Sequence, residues 1–280
     1  MKSVGIDIGS RTIKSVVMSE NGILEWDIAD AVSRPARIAG EMLARYAGVP
    51  VVATGYGRQL LQKQGVPAVT EIKACARGVR HLYDDARGII DVGGQDLKVI
   101  CLDKKGKVAK FEMNDRCAAG TGKFLEIMAE KLGFDIADFG DAALRGRDTI
   151  TISSLCTVFA ESEVIGLLNR DEPIDIACAV HRSAVAKITS MYKRICSTPD
   201  LPVYLVGGGA LNKAVAKLLE KELQSVVKVA GNPQIVVAVG ASVIASERRV
   251  SIRPLRNSGM CSVTGSSIER IKPSSSAQPN

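Results

Sequence analysis

Short apolar runs separated by tight turns dominate the start of the chain. Strands are predicted at residues 2–8, 12–18 and 23–28. The first break falls at Gly9-Ser10, and the second contains Asn21-Gly22, a dipeptide typical of hairpins. Three consecutive strands joined in this way predict an antiparallel meander.

The same three-strand pattern occurs a second time. The second set of predicted strands is 89–92, 97–102 and 108–113. Asp7 lies 15 residues before Gly22, and Asp91 lies 15 residues before Gly106. An internal repeat at matched spacing predicts two similar α/β halves.

The rest of the chain up to residue 248 alternates helical periodicity with short apolar runs. Helices are predicted at 37–46, 72–83, 118–132, 158–168, 176–195, 212–223 and 233–246, and buried strands at 49–54, 203–206 and 226–229. We therefore expect a first half at residues 1–86, joined by the C-terminal helix at about 233–248, and a second half at 87–232. Residues 249–280 are rich in Ser, Pro, Gly, Asn and Arg, a composition typical of a disordered tail.

The net charge of +7 does not indicate a nucleic-acid-binding protein. Residues 247–280 contain six basic and two acidic side chains, which leaves 31 basic and 28 acidic side chains for the remainder. Aromatic residues make up only 4% of the chain, too few for base-stacking platforms.

No segment predicts a membrane location. The longest charge-free apolar stretch, 233–246, is too short to span a bilayer, and the N-terminus turns acidic before a signal-peptide apolar region forms. A cytoplasmic protein is expected, in which the seven cysteines stay reduced and do not form disulfides. The two histidines and the cysteines show no zinc-binding spacing.

Three glycine turns follow apolar strands, at residues 7–10, 91–96 and 206–209. Backbone N–H groups in such turns suit phosphate oxygens, and an Asp beside each of the first two suits Mg²⁺ held through water and phosphate. A single turn of this kind is more often a simple tight hairpin, but two matched copies and a third turn favour a nucleotide cleft. Residues 120–123 do not form a P-loop, since Cys117 and Phe124 occupy the positions of its first Gly and its Ser/Thr.

At these turns the chain resembles the actin, hexokinase and heat-shock-chaperone ATPase superfamily. Residues 5–14 match its first phosphate turn, 91–96 its second, and 206–209 its adenosine motif. The resemblance implies two duplicated ribonuclease-H-like halves, the actin-like ATPase fold, with an ATP cleft between them. It implies that Asp7, Asp91 and Gln95 are catalytic and that the two aspartates organise Mg²⁺ and the attacking water. The implied ATP-binding residues are Gly9, Ser10, Arg11, Lys14, Gly93, Gly94, Asp96, Gly207, Gly208, Gly209 and Gln234.

Two cysteines, Cys117 and Cys156, each precede a predicted helix. A thiolate at a helix N-terminus is stabilised by the dipole and by free N–H groups, and the same geometry suits an anionic iron–sulfur cluster. From spacing alone, ordinary core packing accounts for both cysteines somewhat better than ligation does. For the other five cysteines packing is clearly the better interpretation.

The segments around these cysteines resemble a specific family, the activators of 2-hydroxyacyl-CoA dehydratases, to which the ATPase subunits of benzoyl-CoA reductase are also related. The resemblance rests on residues 114–126 (NDRCAAGTGKFLE) and 156–164 (CTVFAESEV), with support from 54–58 and 232–234, and covers about residues 3–248. It implies a homodimer in which Cys117 and Cys156 of both copies hold one 4Fe–4S cluster.

The resemblance further implies an ATP-hydrolysing electron carrier. Ferredoxin or flavodoxin would reduce the cluster, ATP would change the angle between the helices at the cluster, and the electron would pass to an acyl-CoA dehydratase or reductase with its own iron–sulfur cluster. Three alternatives remain open. They are an intrinsic ATPase subunit of a benzoyl-CoA-reductase-type complex, a small-molecule kinase of the same superfamily, and a metal-free regulatory or scaffold ATPase.

Overall fold

Two mixed β-sheets form the framework of the chain. The computed structural model describes residues 1–31, 33–115, 117–153, 156–196 and 202–248. The strands are β1 (Ser3–Ile8), β2 (Thr12–Ser19), β3 (Gly22–Asp30), β4 (Val51–Thr54), β5 (Gly88–Val92), β6 (Leu97–Leu102), β7 (Val108–Asn114), β8 (Val203–Val206) and β9 (Val227–Val229). The strand order is β3-β2-β1-β4 in the first sheet and β7-β6-β5-β8-β9 in the second.

Both sheets are built on the same plan, which confirms the predicted duplication. In each, a three-stranded antiparallel meander is followed by a strand that pairs in parallel with the first strand of the meander. Asp7 lies opposite Lys14 on β2, and Asp91 lies opposite Lys98 on β6. The two aspartates therefore occupy equivalent positions in the two halves.

The helices lie around and between these sheets. They are α1 (Pro35–Ala44), α2 (Gln59–Gln62), α3 (Glu71–Leu82), α4 (Gly122–Leu132), α5 (Ile136–Arg145), α6 (Thr157–Leu167), α7 (Pro173–Ile195), α8 (Lys213–Leu223) and α9 (Val236–Arg248), with a 3₁₀ turn at Gly208–Leu211. In the parts of the chain that the structure describes, no helix is long and apolar enough to cross a membrane.

Helices α3 and α9 cross in close contact between the sheets. A Cβ atom on Gly240 of α9 would lie 1.8 Å from the carbonyl oxygen of Ala74 on α3, so no larger residue fits at this crossing. Apolar side chains of α3 and α9 share one core cluster with β5, β6 and β8, and α9 also packs on the first sheet. The division of the chain into 1–86 and 87–232 stays a prediction.

Helix α4 begins at Gly122, four residues later than predicted. Gly120 has φ +83°, and the amide of Thr121 donates to the carbonyl of Ala118 at 2.9 Å, so a turn precedes the helix. Cys117 consequently lies in a loop, several residues before the helix rather than directly before its first residue. Helix α2 and helix α5 were not predicted, although Asp135 caps α5 by accepting from the amide of Ala137. The predicted tail at 249–280 lies outside the described residues.

Cys101 on β6 and Cys196 at the end of α7 form a disulfide, with Cα atoms 5.8 Å apart. The expectation that the chain contains no disulfide is therefore wrong at this pair. Composition could not show it, because the pairing depends on how α7 packs across the second sheet.

Candidate active site

A cavity of about 530 Å³ lies where the glycine turns of the two sheets face each other. It is lined by every residue predicted for catalysis or ATP binding except one: Asp7, Gly9, Ser10, Arg11, Lys14, Asp91, Gly93, Gly94, Asp96, Gly207, Gly208, Gly209 and Gln234. Gln95 is exposed and is not part of the cavity wall.

The two aspartate turns are closed by equivalent hydrogen bonds. The amide of Gly9 donates to the carbonyl of Thr12 at 3.0 Å, and the amide of Gly93 donates to the carbonyl of Asp96 at 2.9 Å. These two amides are therefore used within the turns. Gly9, Ser10, Gly93 and Gly94 line the cavity, and backbone amides in glycine turns of this kind suit phosphate oxygens.

Glycines with positive φ hold both aspartates in place. Gly207 has φ +85°, and a Cβ atom there would lie 2.5 Å from Oδ1 of Asp91. Gly55 is its counterpart in the first half, with φ +94° and a distance of 2.6 Å to Oδ1 of Asp7. Because any side chain would strain the backbone and displace the carboxylate, both positions require glycine.

The lysines opposite the two aspartates differ in their surroundings. Nζ of Lys14 lies 3.3 Å from Oδ2 of Asp7, and 14% of its side chain is exposed. Lys98 is only 3% exposed, and its Nζ lies 2.7 Å from Oδ2 of Asp96, 2.9 Å from Oε2 of Glu71 and 3.5 Å from Oδ2 of Asp91. Since Glu71 begins α3, this lysine links the second sheet to that helix.

Burial and neighbouring charges shift the pKa values of the ionisable side chains in this cluster. Loss of solvent raises the pKa of Asp91 and of Glu71, although the charge of Lys98 acts in the opposite direction on both. Burial would lower the pKa of Lys98, but its three carboxylate partners outweigh burial and hold that pKa well above its usual value. Lys98 therefore remains a cation that neutralises part of the acidic cluster.

The cleft has a residual negative charge that suits a divalent cation. Four carboxylates, those of Asp7, Asp91, Asp96 and Glu71, face only two lysines. The hydroxyl of Thr54, opposite Asp7, is buried and has no hydrogen-bond partner among the described residues. No group of three metal-ligating side chains occurs within the described residues. Carboxylates such as those of Asp7 and Asp91 fit a Mg²⁺ ion held through water and phosphate oxygens.

Cys117 is joined to the second aspartate turn by the start of α4. The amides of Gly122 and Lys123 donate to the carbonyls of Gly93 and Gly94 at 2.9 and 2.8 Å. The carbonyl of Cys117 accepts from the side chain of Asn114 at 2.9 Å, and its own side chain is half-buried. A shift of the turn at Gly93 would thus be transmitted directly to the first turn of α4.

Cys156 is exposed and is the N-cap residue of α6. The hydroxyl of the next residue, Thr157, is buried without a hydrogen-bond partner in the described parts of the chain. Three apolar side chains of α6 point outwards, with Val158 66%, Phe159 67% and Ile165 50% exposed. An exposed thiol, an unused hydroxyl and an apolar surface lie together at this helix.

Sequence reasoning missed several residues of the cleft, namely Lys98, Glu71, Glu126 and Gly55. The internal repeat could have identified two of these residues, Lys98 and Gly55. Lys98 lies seven residues after Asp91, just as Lys14 lies seven residues after Asp7. In the same way Gly55 corresponds to Gly207. Glu71 and Glu126 carried no such signal, since they enter the cleft through the packing of α3 and α4.

Two facing aspartate turns on duplicated sheets, with a cavity between them, define the chain as a protein of the actin-like ATPase fold. The chain belongs to the BadF/BadG/BcrA/BcrD ATPase family, whose model matches residues 24–245. It is 36% identical over 268 residues to the 2-hydroxyisocaproyl-CoA dehydratase activator of Clostridioides difficile, covering 92% of this chain and 100% of the relative.

Two solved structures of this family share the fold. One is component A of the (R)-2-hydroxyglutaryl-CoA dehydratase of Acidaminococcus fermentans, with a TM-score of 0.81, 33% identity and coverage of 89% of this chain and 98% of that one. The other is the activator of the 2-hydroxyisocaproyl-CoA dehydratase from Clostridium difficile with bound ADPNP, with a TM-score of 0.79, 33% identity and coverage of 93% and 100%. The resemblance to this family is thereby confirmed.

Proposed function

We propose that the chain is an ATP-hydrolysing activator that delivers a low-potential electron to an acyl-CoA dehydratase from a 4Fe–4S cluster shared by two copies. The observation that carries the proposal is the hydrogen-bonded contact between the second aspartate turn and the start of α4, directly after the Cys117 loop. This contact connects a nucleotide cleft to a candidate redox ligand.

The cleft residues have distinct roles in ATP binding. Backbone amides of the two turns and the Lys14 ammonium would bind the phosphates, and Gly207, Gly208, Gly209 and Gln234 would bind the nucleoside. Asp7 and Asp91 would hold Mg²⁺ through water and would orient the attacking water. The excess of carboxylates over lysines in the cleft supports a divalent cation there.

The thiols of Cys117 and Cys156 fit a cluster held between two subunits. Cys156 is the N-cap residue of α6, at the positive end of the helix dipole, and the unused hydroxyl of Thr157 lies beside it. The first two amides of α4 are instead taken by the carbonyls of Gly93 and Gly94, so the loop before that helix would supply the Cys117 thiol. A cubane cluster takes four thiolates, so one chain supplies half of the ligands. When bound, the cluster supplies one-electron transfer at low potential, and the chain determines its exposure and surroundings.

The exposed surface of α6 supports the homodimer. Val158, Phe159 and Ile165 would be covered if α6 lay near a two-fold axis, which would also bring the cysteines of both copies together. Movement of α4 on the Gly93 turn would then alter the arrangement of helices around this axis when nucleotide binds.

The name of one relative supports the proposed acceptor. The 2-hydroxyisocaproyl-CoA dehydratase activator of Clostridioides difficile supports an acyl-CoA dehydratase in this role. Ferredoxin or flavodoxin is proposed as the donor, because the family resemblance of residues 114–126 and 156–164 implies one of them.

Anaerobic purification tests the proposal. We expect a brown dimer with about four iron atoms that hydrolyses ATP. Cys117→Ser and Cys156→Ser should each abolish the colour, while Cys178→Ser, at a buried position on α7, should retain it. A colourless, iron-free chain that still hydrolyses ATP would refute the redox function and leave a regulatory ATPase.

A further inference from the structure

We infer that Glu126 is a positioning residue that acts through Arg11 to set the preference of the cleft for ATP over ADP. In the absence of nucleotide, Glu126 holds the Arg11 guanidinium. The terminal phosphate of ATP takes that guanidinium, and α4 loses one of its links to the first half. The inference rests on the proposed function only in that the cleft binds ATP.

Arg11 crosses from the first half to the second. It belongs to the first aspartate turn, yet its side chain lies over the second turn, where a Cβ atom on Gly94 would be 2.5 Å from Cγ of Arg11. Its Nη2 atom lies 3.3 Å from Oε1 and 3.2 Å from Oε2 of Glu126 on α4. Arg11 thus touches both turns and the helix that follows the Cys117 loop.

The position of Arg11 favours contact with the last phosphate. A nucleoside bound at Gly207–Gly209 would direct its phosphates towards the two aspartate turns, which line the same cavity. Arg11 and Glu126 also line this cavity, and Arg11 lies against Gly94 of the second turn. The last phosphate of ATP would then come within reach of this guanidinium. ADP lacks the phosphate that would reach this point, so the guanidinium distinguishes the two nucleotides.

The Arg11–Glu126 pair is weak enough to be exchanged. Its side chains are 40% and 32% exposed, and Glu126 also has Nζ of Lys123 at 3.5 Å, so the carboxylate keeps a partner when Arg11 leaves. An exposed pair of this kind changes an equilibrium by no more than about five-fold. A guanidinium binds phosphate through two charge-assisted hydrogen bonds and therefore competes successfully.

Removal of the Glu126 carboxylate should increase the affinity for ATP relative to ADP, because ATP binding no longer requires the Arg11–Glu126 ion pair to break. We expect Glu126→Gln to tighten binding of ADPNP by about two- to five-fold and to leave ADP binding unchanged, as measured by isothermal titration calorimetry. Glu130→Gln is the matched control, one turn further along α4 and exposed. It should change neither affinity. An equal gain for ADP and ADPNP in Glu126→Gln would overturn the inference.

A double-mutant cycle separates this role from a simple change of charge in the cleft. If Glu126 acts through Arg11, the gain for ADPNP should disappear when Arg11→Gln is already present. A gain that persists in the double variant would show that Glu126 repels phosphate directly, and would refute the inference.

Hydrogen exchange of the intact protein reports the helix itself. ADPNP should speed amide exchange at the first turn of α4 in the wild-type chain, and Glu126→Gln should show that faster exchange without nucleotide. Identical exchange in all states would contradict the inference. A wild-type chain that binds neither nucleotide would instead refute the proposed function, so the two failures are distinguishable.

Discussion

Replacement of the buried Lys98 provides the sharpest test of how the cleft is held together. Lys98→Met keeps the length of the side chain but leaves Asp91, Asp96 and Glu71 without their shared cation. Removing one partner from a buried charged cluster costs about 3–5 kcal/mol. We expect a loss of this size in the free energy of unfolding at pH 7, measured by urea denaturation followed by circular dichroism.

Lys14→Met is the matched control, since Lys14 occupies the equivalent position in the first half. It is more exposed and has a single carboxylate at 3.3 Å, so we expect a smaller loss of about 1–2 kcal/mol. Equal losses in the two variants would refute the reasoning that burial and the number of partners determine the cost.

The loss in unfolding free energy caused by Lys98→Met should also become smaller as the pH falls. Burial raises the pKa of Asp91 and Glu71 in the folded state, and loss of Lys98 removes a charge that lowers both. Carboxylates with raised pKa values favour the folded state at low pH, and this contribution is lost as the pH rises through their folded pKa values. The cost should therefore shrink between pH 7 and pH 5, and a cost that grew would contradict this account.

Three further predictions concern other parts of the chain. Gly207→Ala should abolish ADPNP binding measured by calorimetry, because the new Cβ would displace Asp91, whereas Gly231→Ala, which has open space around it, should bind normally. Burial lowers the pKa of His181 to about 4, so stability should fall by about 2 kcal/mol from pH 7 to pH 5 in urea denaturation, and His181→Gln should remove that fall. Phe159→Asp should give a monomer in light scattering if α6 forms the dimer interface; a persisting dimer would place the interface elsewhere.

The sheets and the turns were predictable because their signals are local. Short apolar runs and glycine breaks mark the strands, and the repeat of Asp7 and Asp91 fixes the equivalence of the two halves. The sequence predicts too early a start for α4 because Ala118 and Ala119 continue the apolar spacing of the helix. The positive φ of Gly120 keeps these residues in a turn, so the helix begins only at Gly122.

Local sequence patterns did not predict the contacts between segments that are far apart in the chain. Arg11 and Glu126 are 115 residues apart, and Cys101 and Cys196 are 95 residues apart. Glu71 carries no local mark of a cleft residue, because it reaches Lys98 only through the packing of α3 against the second sheet. The sequence therefore predicts which turns bind a ligand but not which side chains connect them.

The two aspartate turns share a backbone plan but differ in what surrounds them. In the first half, Lys14 has one carboxylate partner and remains partly exposed to the cavity. In the second, Lys98 is buried among three carboxylates, and the turn at Gly93 also accepts the first amide hydrogen bonds of α4. The first turn thus reaches α4 through the partly exposed Arg11–Glu126 pair, while the second is hydrogen-bonded directly to the helix that follows Cys117. A fully symmetric cleft would bind nucleotide without favouring movement on either side, so the coupling that we propose depends on this difference between the halves.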